Sequence, residues 1–588
     1  MSRYYQNAAD AVRSCRNGKS FKKHFADREK AGTREYAIAA ETVKYMNVLE
    51  SLVSRSGITA EKIGIQDPDL YFVLLYELLF STDGKIQGGG AVKKAVIANE
   101  PPLRTTLEAI CREKDVDLNN LKELLPPSLT TCLPRYIRLN HMKYSGTRED
   151  ILDDITTEYC PEAVADPLIP SLIRLPADVK ALPSLPYVSG SEVIIQDKAS
   201  CIPSQVLSDE WALHAKSGGP GGGDIVDACS APGNKTSHVA SELVHFLKLQ
   251  AKESQKASGG KKKGSVGTRT NIPTPVIYAF EKDPKRFQLL SRRMTAANAM
   301  GHSATSSTAY PNVISAEHTD FLSIDVTASQ YANVQYVLLD PSCSGSGTNS
   351  RTFERNLNSR EKTDSGSGRV SQLATFQTTL TKKAMTFPNV HTIVYSTCSV
   401  HWQENEGVVA DVLGWCRRKQ QREKMEAGEA EFGFNYDSWE LKTPSRFPTS
   451  AWQRRGVANP EPGSSLPDLS PEERECVIRC LPDDDMSGFY VALYVNPAKR
   501  ACRCSPQQLA RRALLPTPVP TAAVGRSSSG SGSGDKQSRK RTKYSHEGDA
   551  EQGASNQPVY PAPYTKPSKA PPSFLQNMFK PKGGKKRR

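Results

Sequence analysis

The chain has 588 residues, 37% of them apolar, with 77 Lys+Arg against 63 Asp+Glu and a formal charge of +14. That length suits two to four domains, and the low apolar share means that part of the chain builds no core. No apolar run reaches the roughly 18 residues of a membrane span, and the first residues lack the apolar stretch of a secretory signal, so an intracellular protein outside the membrane is expected.

Residues 1–130 read as a helical region. Tyr36 to Val53 combines helix-forming residues with one apolar face. Leu70 to Phe80, the longest apolar run, reads as a buried helix because it is short and contains Glu77; Ser81-Thr82-Asp83-Gly84 ends it. A third helix is expected near Leu107 to Leu125, stopping at Pro126-Pro127. Residues 131–192 read as a small α/β domain and its connector: a strand at Tyr136–Leu139, a helix at Arg148–Thr156, and a Pro-rich stretch from Pro161 to Pro186.

From Val193 to residue 498 the pattern alternates. Strands are expected at Ile225–Ala228, Val276–Phe280, Val313–Ala316, Val334–Leu339, Thr392–Ser396 and Phe489–Val495. Between them apolar residues recur at helical spacing, as at Val239, Leu243 and Leu247, or Phe287, Leu290 and Met294. Such alternation predicts a doubly wound α/β domain with a largely parallel sheet. Residues 251–271 and 355–369 are polar and Gly/Ser-rich, so both read as surface insertions. Residues 499–588 read as a disordered basic tail. Positions 501–588 hold 17 Lys+Arg and 4 acids, a surplus of 13, so the body is almost neutral. Arg539-Lys540-Arg541 and Lys585-Lys586-Arg587-Arg588 suit nuclear or nucleolar targeting, or a non-specific RNA tether.

The first strand of the alternating region ends in Asp227 and runs into Ala-Cys-Ser-Ala-Pro-Gly-Asn-Lys-Thr. A small-residue turn before a helix lets a cofactor approach the backbone and places the helix N-terminus near its anionic end. It is neither a P-loop nor GxGxxG. The second strand ends in Glu281, before Asp283 as a helix N-cap and Pro284 as its first residue. An acid at that strand tip can accept from both ribose hydroxyls. Gly233 and Glu281 are 48 residues apart, or 27 with the 251–271 insertion set aside, close to the usual gap of about 20. His318-Thr319-Asp320 closes the third strand and is placed to meet an adenine. A nucleoside with a charged amino-acid end, S-adenosylmethionine, fits this set.

Two cysteines follow apolar strands into turns of small polar residues: Cys343 in Asp340-Pro-Ser-Cys-Ser-Gly and Cys398 in Ser-Thr-Cys-Ser. Thirteen cysteines are otherwise scattered without a disulfide rhythm or a zinc quartet, so no metal is expected. A thiol exposed at a strand-end turn can ionise and attack. One chemistry needs such a thiol beside a carboxyl group. Cytosine C5 is too weak a nucleophile for a methyl sulfonium until a thiolate adds to C6, and an acid near N3 stabilises the charge that develops. Spacing alone leaves open which cysteine attacks.

Taken together, QDKASC (196–201), DACSAPGNKTSH (227–238), AFEKDPKR (279–286), LLDPSCSGSG (338–347), YSTCSVHWQENE (395–406) and GFYVALYV (488–495) resemble the RNA (cytosine-5)-methyltransferases of the Sun/RsmB type. PRYIRLN (134–140) is similar to the small RNA-binding domain that precedes their catalytic domain, and the resemblance covers about residues 130–498. It implies a Rossmann-like class I methyltransferase fold with an N-terminal helical region. It makes Cys398 the nucleophile and Cys343 an aid to product release, with Asp340 contacting the cytosine and closing the cofactor site. Cys229, Ser230, Ala231, Pro232, Gly233, Asn234, Lys235, Glu281, Arg286 and Asp320 then bind S-adenosylmethionine. The common D-x-P-C-S-G is here D-P-S-C-S-G, a variant that resembles the eukaryotic branch acting on large-subunit (25S/28S) rRNA. The implied partner is rRNA, free or within a pre-ribosome, met by a nucleolar monomer with no membrane attachment. A tRNA substrate, or a ribosome-assembly factor that mainly binds RNA, are the alternatives.

Overall fold

The computed structural model describes residues 3–17, 33–125, 133–179, 182–216, 222–258, 274–300, 313–348, 365–427, 438–460 and 467–501. By its contacts the chain divides into Met1–Thr517 and Pro518–Arg588, and the second unit lies outside the described residues, as does the expected tail from 502 onward.

Among the described residues six helices come first: α1 (Arg3–Arg16), α2 (Thr33–Lys44), α3 (Met46–Ser56), α4 (Pro68–Leu79), α5 (Ala91–Ala98) and α6 (Glu100–Glu113). The single helix expected over Tyr36–Val53 is divided at Tyr45, whose ring packs 5.7 Å from Tyr76 and 4.8 Å from Phe80. Packing there outweighs local propensity. Helix α4 starts where Asp67 accepts from the N–H groups of Asp69 and Leu70. Its Glu77 is buried and accepts from the Tyr5 hydroxyl at 3.3 Å, which accounts for an acid inside the apolar run. Helix α6 begins earlier than expected because Pro101-Pro102 falls in its first turn, where no N–H partner is lost. A 3-10 turn at Leu118–Leu124 replaces the helix expected to reach Leu125.

A small antiparallel sheet follows, in the order β2-β3-β1-β4, from β1 (Arg135–Leu139), β2 (Val164–Ala165), β3 (Leu172–Leu175) and β4 (Val193–Ile195). Helix α7 (Arg148–Glu158), closed by a Thr147/Asp150 capping box, buries Ile151 and Ile155 against Ile137, Leu139 and Ile173. The Pro161–Pro186 stretch expected as a connector thus supplies β2 and β3. Strand β4 pairs with β1, so the small sheet passes the expected boundary at 192.

The large sheet runs β10-β12-β9-β8-β5-β6-β7, with β11 beside β12. Its strands are β5 (Asp224–Asp227), β6 (Ile277–Phe280), β7 (Ile314–Glu317), β8 (Val334–Leu339), β9 (Thr392–Thr397), β10 (Glu440–Leu441), β11 (Ile478–Cys480) and β12 (Phe489–Val495). Strands β5 to β9 are parallel; β12 joins antiparallel to β9. Every residue of β5, β8, β9 and β12 is buried, as continuous apolar strands covered on both faces require. The covering helices are α8 (Lys198–Lys216), α9 (Asn234–Ser258), α10 (Pro284–Ala296), α11 (Ser365–Met385) and α12 (Glu406–Ala427). Helix α9 carries through 251–258, part of the first expected insertion, and α11 begins within the second. Residues 259–271 and 355–364 lie outside the described residues. Strand order reverses between β5 and β8, so a ligand crevice opens at the carboxyl ends of these strands.

Candidate active site

Asp227 ends β5 fully enclosed. Its carboxylate accepts from the Thr236 hydroxyl at 2.7 Å and the Cys229 N–H at 3.3 Å, and burial pushes it up to about 6. The loop from Ala228 to Gly233 is thereby folded back on the start of α9. Ser230 N–H donates to Phe280 O at 2.9 Å, tying the loop to β6. Gly233 has φ +99°, and a Cβ there would lie 2.4 Å from Met294 Cε, so the turn against α10 requires glycine.

Glu281, at the tip of β6, is buried and accepts from Asp283 N–H at 2.9 Å. Arg286 bridges the same acid, at 3.3 Å, to the carbonyl of Ala231, at 2.6 Å. Asn234 accepts from Arg293 at 3.1 Å. Asp320, after β7, caps the next turn through Leu322 N–H at 3.0 Å and lies 3.8 Å from Lys282. The His318 ring stacks on Phe287 at 5.2 Å. The structure therefore gathers Cys229–Lys235, Glu281, Arg286 and Asp320 along one rim. Arg286 acts on the loop through hydrogen bonds already made inside the protein.

Lys235 reaches across the rim. Its ammonium pairs with Asp340 at the end of β8, 2.7 Å away, and lies 5.0 Å from the centre of the Phe489 ring. Burial acts against that charge, yet Asp340, with Cys398 and Asp227 behind it, more than offsets it and the lysine is pushed up. The other Asp340 oxygen accepts from the Ser396 hydroxyl at 2.9 Å.

Cys343 and Cys398 face each other with sulfurs 3.2 Å apart, both partly accessible. The hydrogen bond to Cys398, then burial, then the charge of Cys398 and after it those of Glu404 and Asp340, push the Cys343 thiol well up. By contrast Cys201 and Cys229 are thiols pushed up chiefly by burial.

Backbone staples hold the two cysteine turns together. Gly347 N–H donates to Cys398 O at 2.9 Å, and Gly488 N–H to Gly347 O at 2.8 Å. A Cβ on Gly347 would fall 2.1 Å from Gly488 O, a contact with backbone that cannot swing aside. Gly347→Ala is therefore expected to cost about 1–3 kcal/mol and to separate the two sulfurs. Thermal unfolding read beside alkylation of the two thiols checks this; an unchanged protein refutes the staple.

Several residues that build the site carried no role in the sequence reading. Asn405 accepts from the Thr397 hydroxyl at 2.5 Å and donates to Ser399 O at 3.0 Å, bracing the Cys398 turn. Glu404, Glu406, Gln377 and Arg479 surround the same turns. The only sequence signal for the first of these was the Glu-Asn-Glu run inside the 395–406 match. Arg138, within the segment resembling an RNA-binding domain, is fully buried. It donates to Gln196 at 3.0 Å, Ser237 Oγ at 3.1 Å and Asn234 O at 3.4 Å, and burial pulls it down to about 10. It joins the small sheet to the start of α9; in β1 it is Arg135 that stays exposed. No cluster of His, Cys, Asp or Glu suited to a metal occurs among the described residues.

Two family models match this chain. One, the N-terminal domain of NOL1/NOP2/Sun domain family member 5, matches residues 34–122, and the other, 16S rRNA methyltransferase RsmB/F, matches 257–494. The chain is 30% identical over 512 residues to the 25S rRNA (cytosine-C(5))-methyltransferase rcm1 of Schizosaccharomyces pombe, covering 84% of this chain and 92% of that protein. It is 28% identical over 505 residues to the 28S rRNA (cytosine-C(5))-methyltransferase of Mus musculus, covering 82% and 85%. It is 29% identical over 496 residues to the 25S rRNA (cytosine-C(5))-methyltransferase NSUN5 of Arabidopsis thaliana, covering 82% and 71%. Similarity this extensive, on a sheet whose adjacent strand ends hold two facing cysteines, means that the chain belongs to the RsmB/F and NSUN5 family of RNA cytosine-C5-methyltransferases.

Proposed function

We propose that this enzyme methylates cytosine C5 in large-subunit ribosomal RNA, using S-adenosylmethionine and a covalent bond from Cys398 to cytosine C6. The facing of Cys343 and Cys398 at 3.2 Å, beside the Asp340–Lys235 pair, carries this reading. The names of the relatives support the choice of RNA.

The residues present fit the cofactor by their chemistry. Acids at the ends of β6 and β7 can accept from ribose hydroxyls and an ammonium group, and the loop before α9 brings backbone N–H groups to its edge. Glu281, Asp320 and Cys229–Lys235 would hold S-adenosylmethionine, which supplies a methyl group on a positive sulfonium. Asp340, between the two sites, closes the cofactor rim and faces the cytosine.

The protein's own steps then follow. The Cys398 sulfur adds to C6, and the displaced electron pair moves toward N3, which takes a proton handed on from the Lys235 ammonium through the Asp340 carboxyl group and gives it back when the adduct breaks. C5 becomes enamine-like. After the methyl group has arrived, the C5 proton leaves to solvent base, the C6–S bond breaks, and its electrons return to Cys398. Cys343, carrying its proton, can donate S–H to the departing sulfur. Lys235 fixes Asp340 and favours negative charge at Cys398.

The expected place of action is the nucleolus, on rRNA free or within a pre-ribosome. Mapping 5-methylcytosine in large-subunit rRNA, with and without the gene, tests the substrate. Loss of one site that the restored wild-type gene returns is the expected result. An unaltered rRNA map with a lost tRNA site would move the substrate to tRNA.

A further inference from the structure

Glu404 lies in the turn between β9 and α12 and is fully buried. Its Oε1 accepts from Ser344 N–H at 2.8 Å and from the Gln377 amide at 3.1 Å. Ser344 directly follows Cys343. Gln377 also donates to Ser342 O at 3.1 Å, so the turn carrying Cys343 is gripped on both sides of that residue. The Tyr395 hydroxyl donates to Glu404 O at 2.6 Å and holds the backbone from below. Oε2 is buried and has no hydrogen-bond partner. Oε1 receives both donors, so one oxygen of the side chain is given to the turn that carries Cys343.

We propose that Glu404 is a positioning residue that keeps Cys343 in its thiol form while Cys398 carries the negative charge. The groups facing Cys343 are Asp340 from β8, Tyr395 and Cys398 from β9 and its turn, and Glu404. The nearby cation, Lys235 at the start of α9, pairs with Asp340 and acts on Cys398. Two sulfurs 3.2 Å apart cannot both ionise readily. The charges of Glu404 and Asp340 act on Cys343 and the ammonium of Lys235 acts on Cys398, and their balance decides which one does. A Cys343 thiolate would repel the attacking sulfur and could itself attack C6. As a thiol it donates to Cys398 when the adduct breaks. The assignment rests on the reading above only in naming Cys398 as the attacking sulfur.

The test is alkylation by iodoacetamide across pH, read at each cysteine by peptide mass spectrometry, on the full chain without RNA or cofactor. In the unaltered protein Cys398 reacts at lower pH than Cys343. Glu404→Gln keeps an acceptor for Ser344 N–H and removes the charge. It is expected to move the Cys343 profile down by on the order of one pH unit, and to lower kcat with little change in the KM for RNA. Gln377→Leu loosens the same grip without touching the charge, so it leaves the Cys343 profile in place. A Cys343 profile unmoved by Glu404→Gln, or moved equally by Gln377→Leu, overturns the proposal. If Glu404→Gln does not fold, the unaltered protein still decides, because Cys343 reacting before Cys398 overturns it as well. Absence of 5-methylcytosine would instead sink the methylation reading and leave these profiles unaffected.

Discussion

Cys398→Ala removes methyl transfer, by on the order of 10^4-fold or more, and with it any covalent RNA adduct. The loss is large because the thiol does more than move a proton, a service worth about 10^2- to 10^4-fold. Without sulfur at C6 the ring stays aromatic, and C5 cannot attack a methyl sulfonium. Cys343→Ala has a different signature. Cys398 can still attack, but the neighbour that assists its departure is gone, so the adduct accumulates while turnover falls. With the two sulfurs 3.2 Å apart, proximity alone cannot tell them apart, and the pair of variants is needed. Transfer of label from S-adenosylmethionine to RNA reads turnover, and a denaturing gel reads the adduct. Full activity in Cys398→Ala would end the proposed mechanism. Adduct accumulation in that variant, with none in Cys343→Ala, would exchange the two roles.

The parts legible in the sequence were those written locally. Strands β5 to β9 and β12 are short continuous apolar runs that end in a carboxylate, a cysteine or a turn, so their positions follow from a few neighbouring residues. The small sheet was harder to read. Strand β2 has two residues and β3 four, set among prolines; β3 forms against β1, and β2 against β3. Arg138 had no role legible in the sequence for a related reason: it is fully buried, with donors spent on α9 and Gln196, partners that only the fold supplies. The support beneath the cysteines was illegible for lack of any local signal. Gln377 and Glu404 are 27 residues apart, and Glu406 and Arg479 are 73 apart. Only the fold brings them together.

Glu406→Ala should destabilise the protein by about 3–5 kcal/mol, among the largest costs expected outside the chemistry itself. Glu406 opens α12 with no exposed side-chain surface, and its partner Arg479 in β11 is 9% exposed. The pair is bidentate, at 2.6 and 2.5 Å, and Glu406 also accepts from Val457 N–H at 3.0 Å. Truncating the acid strands a buried guanidinium and a backbone donor together. Removing an exposed pair such as Arg55–Glu113, with side chains 46% and 60% exposed, costs far less, because water solvates whichever charge is left. The effect reaches the active site because Arg479 also donates to Val400 O at 3.2 Å, two residues beyond Cys398. Methyl transfer should therefore fall together with Tm. The double variant Glu406→Leu/Arg479→Met should lose less than Glu406→Ala, since an apolar pair leaves no charge without a partner. Thermal unfolding of the single and double variants decides: if the double variant is the less stable, the guanidinium is not what makes the single loss large, and its bond to Val400 is the part that matters.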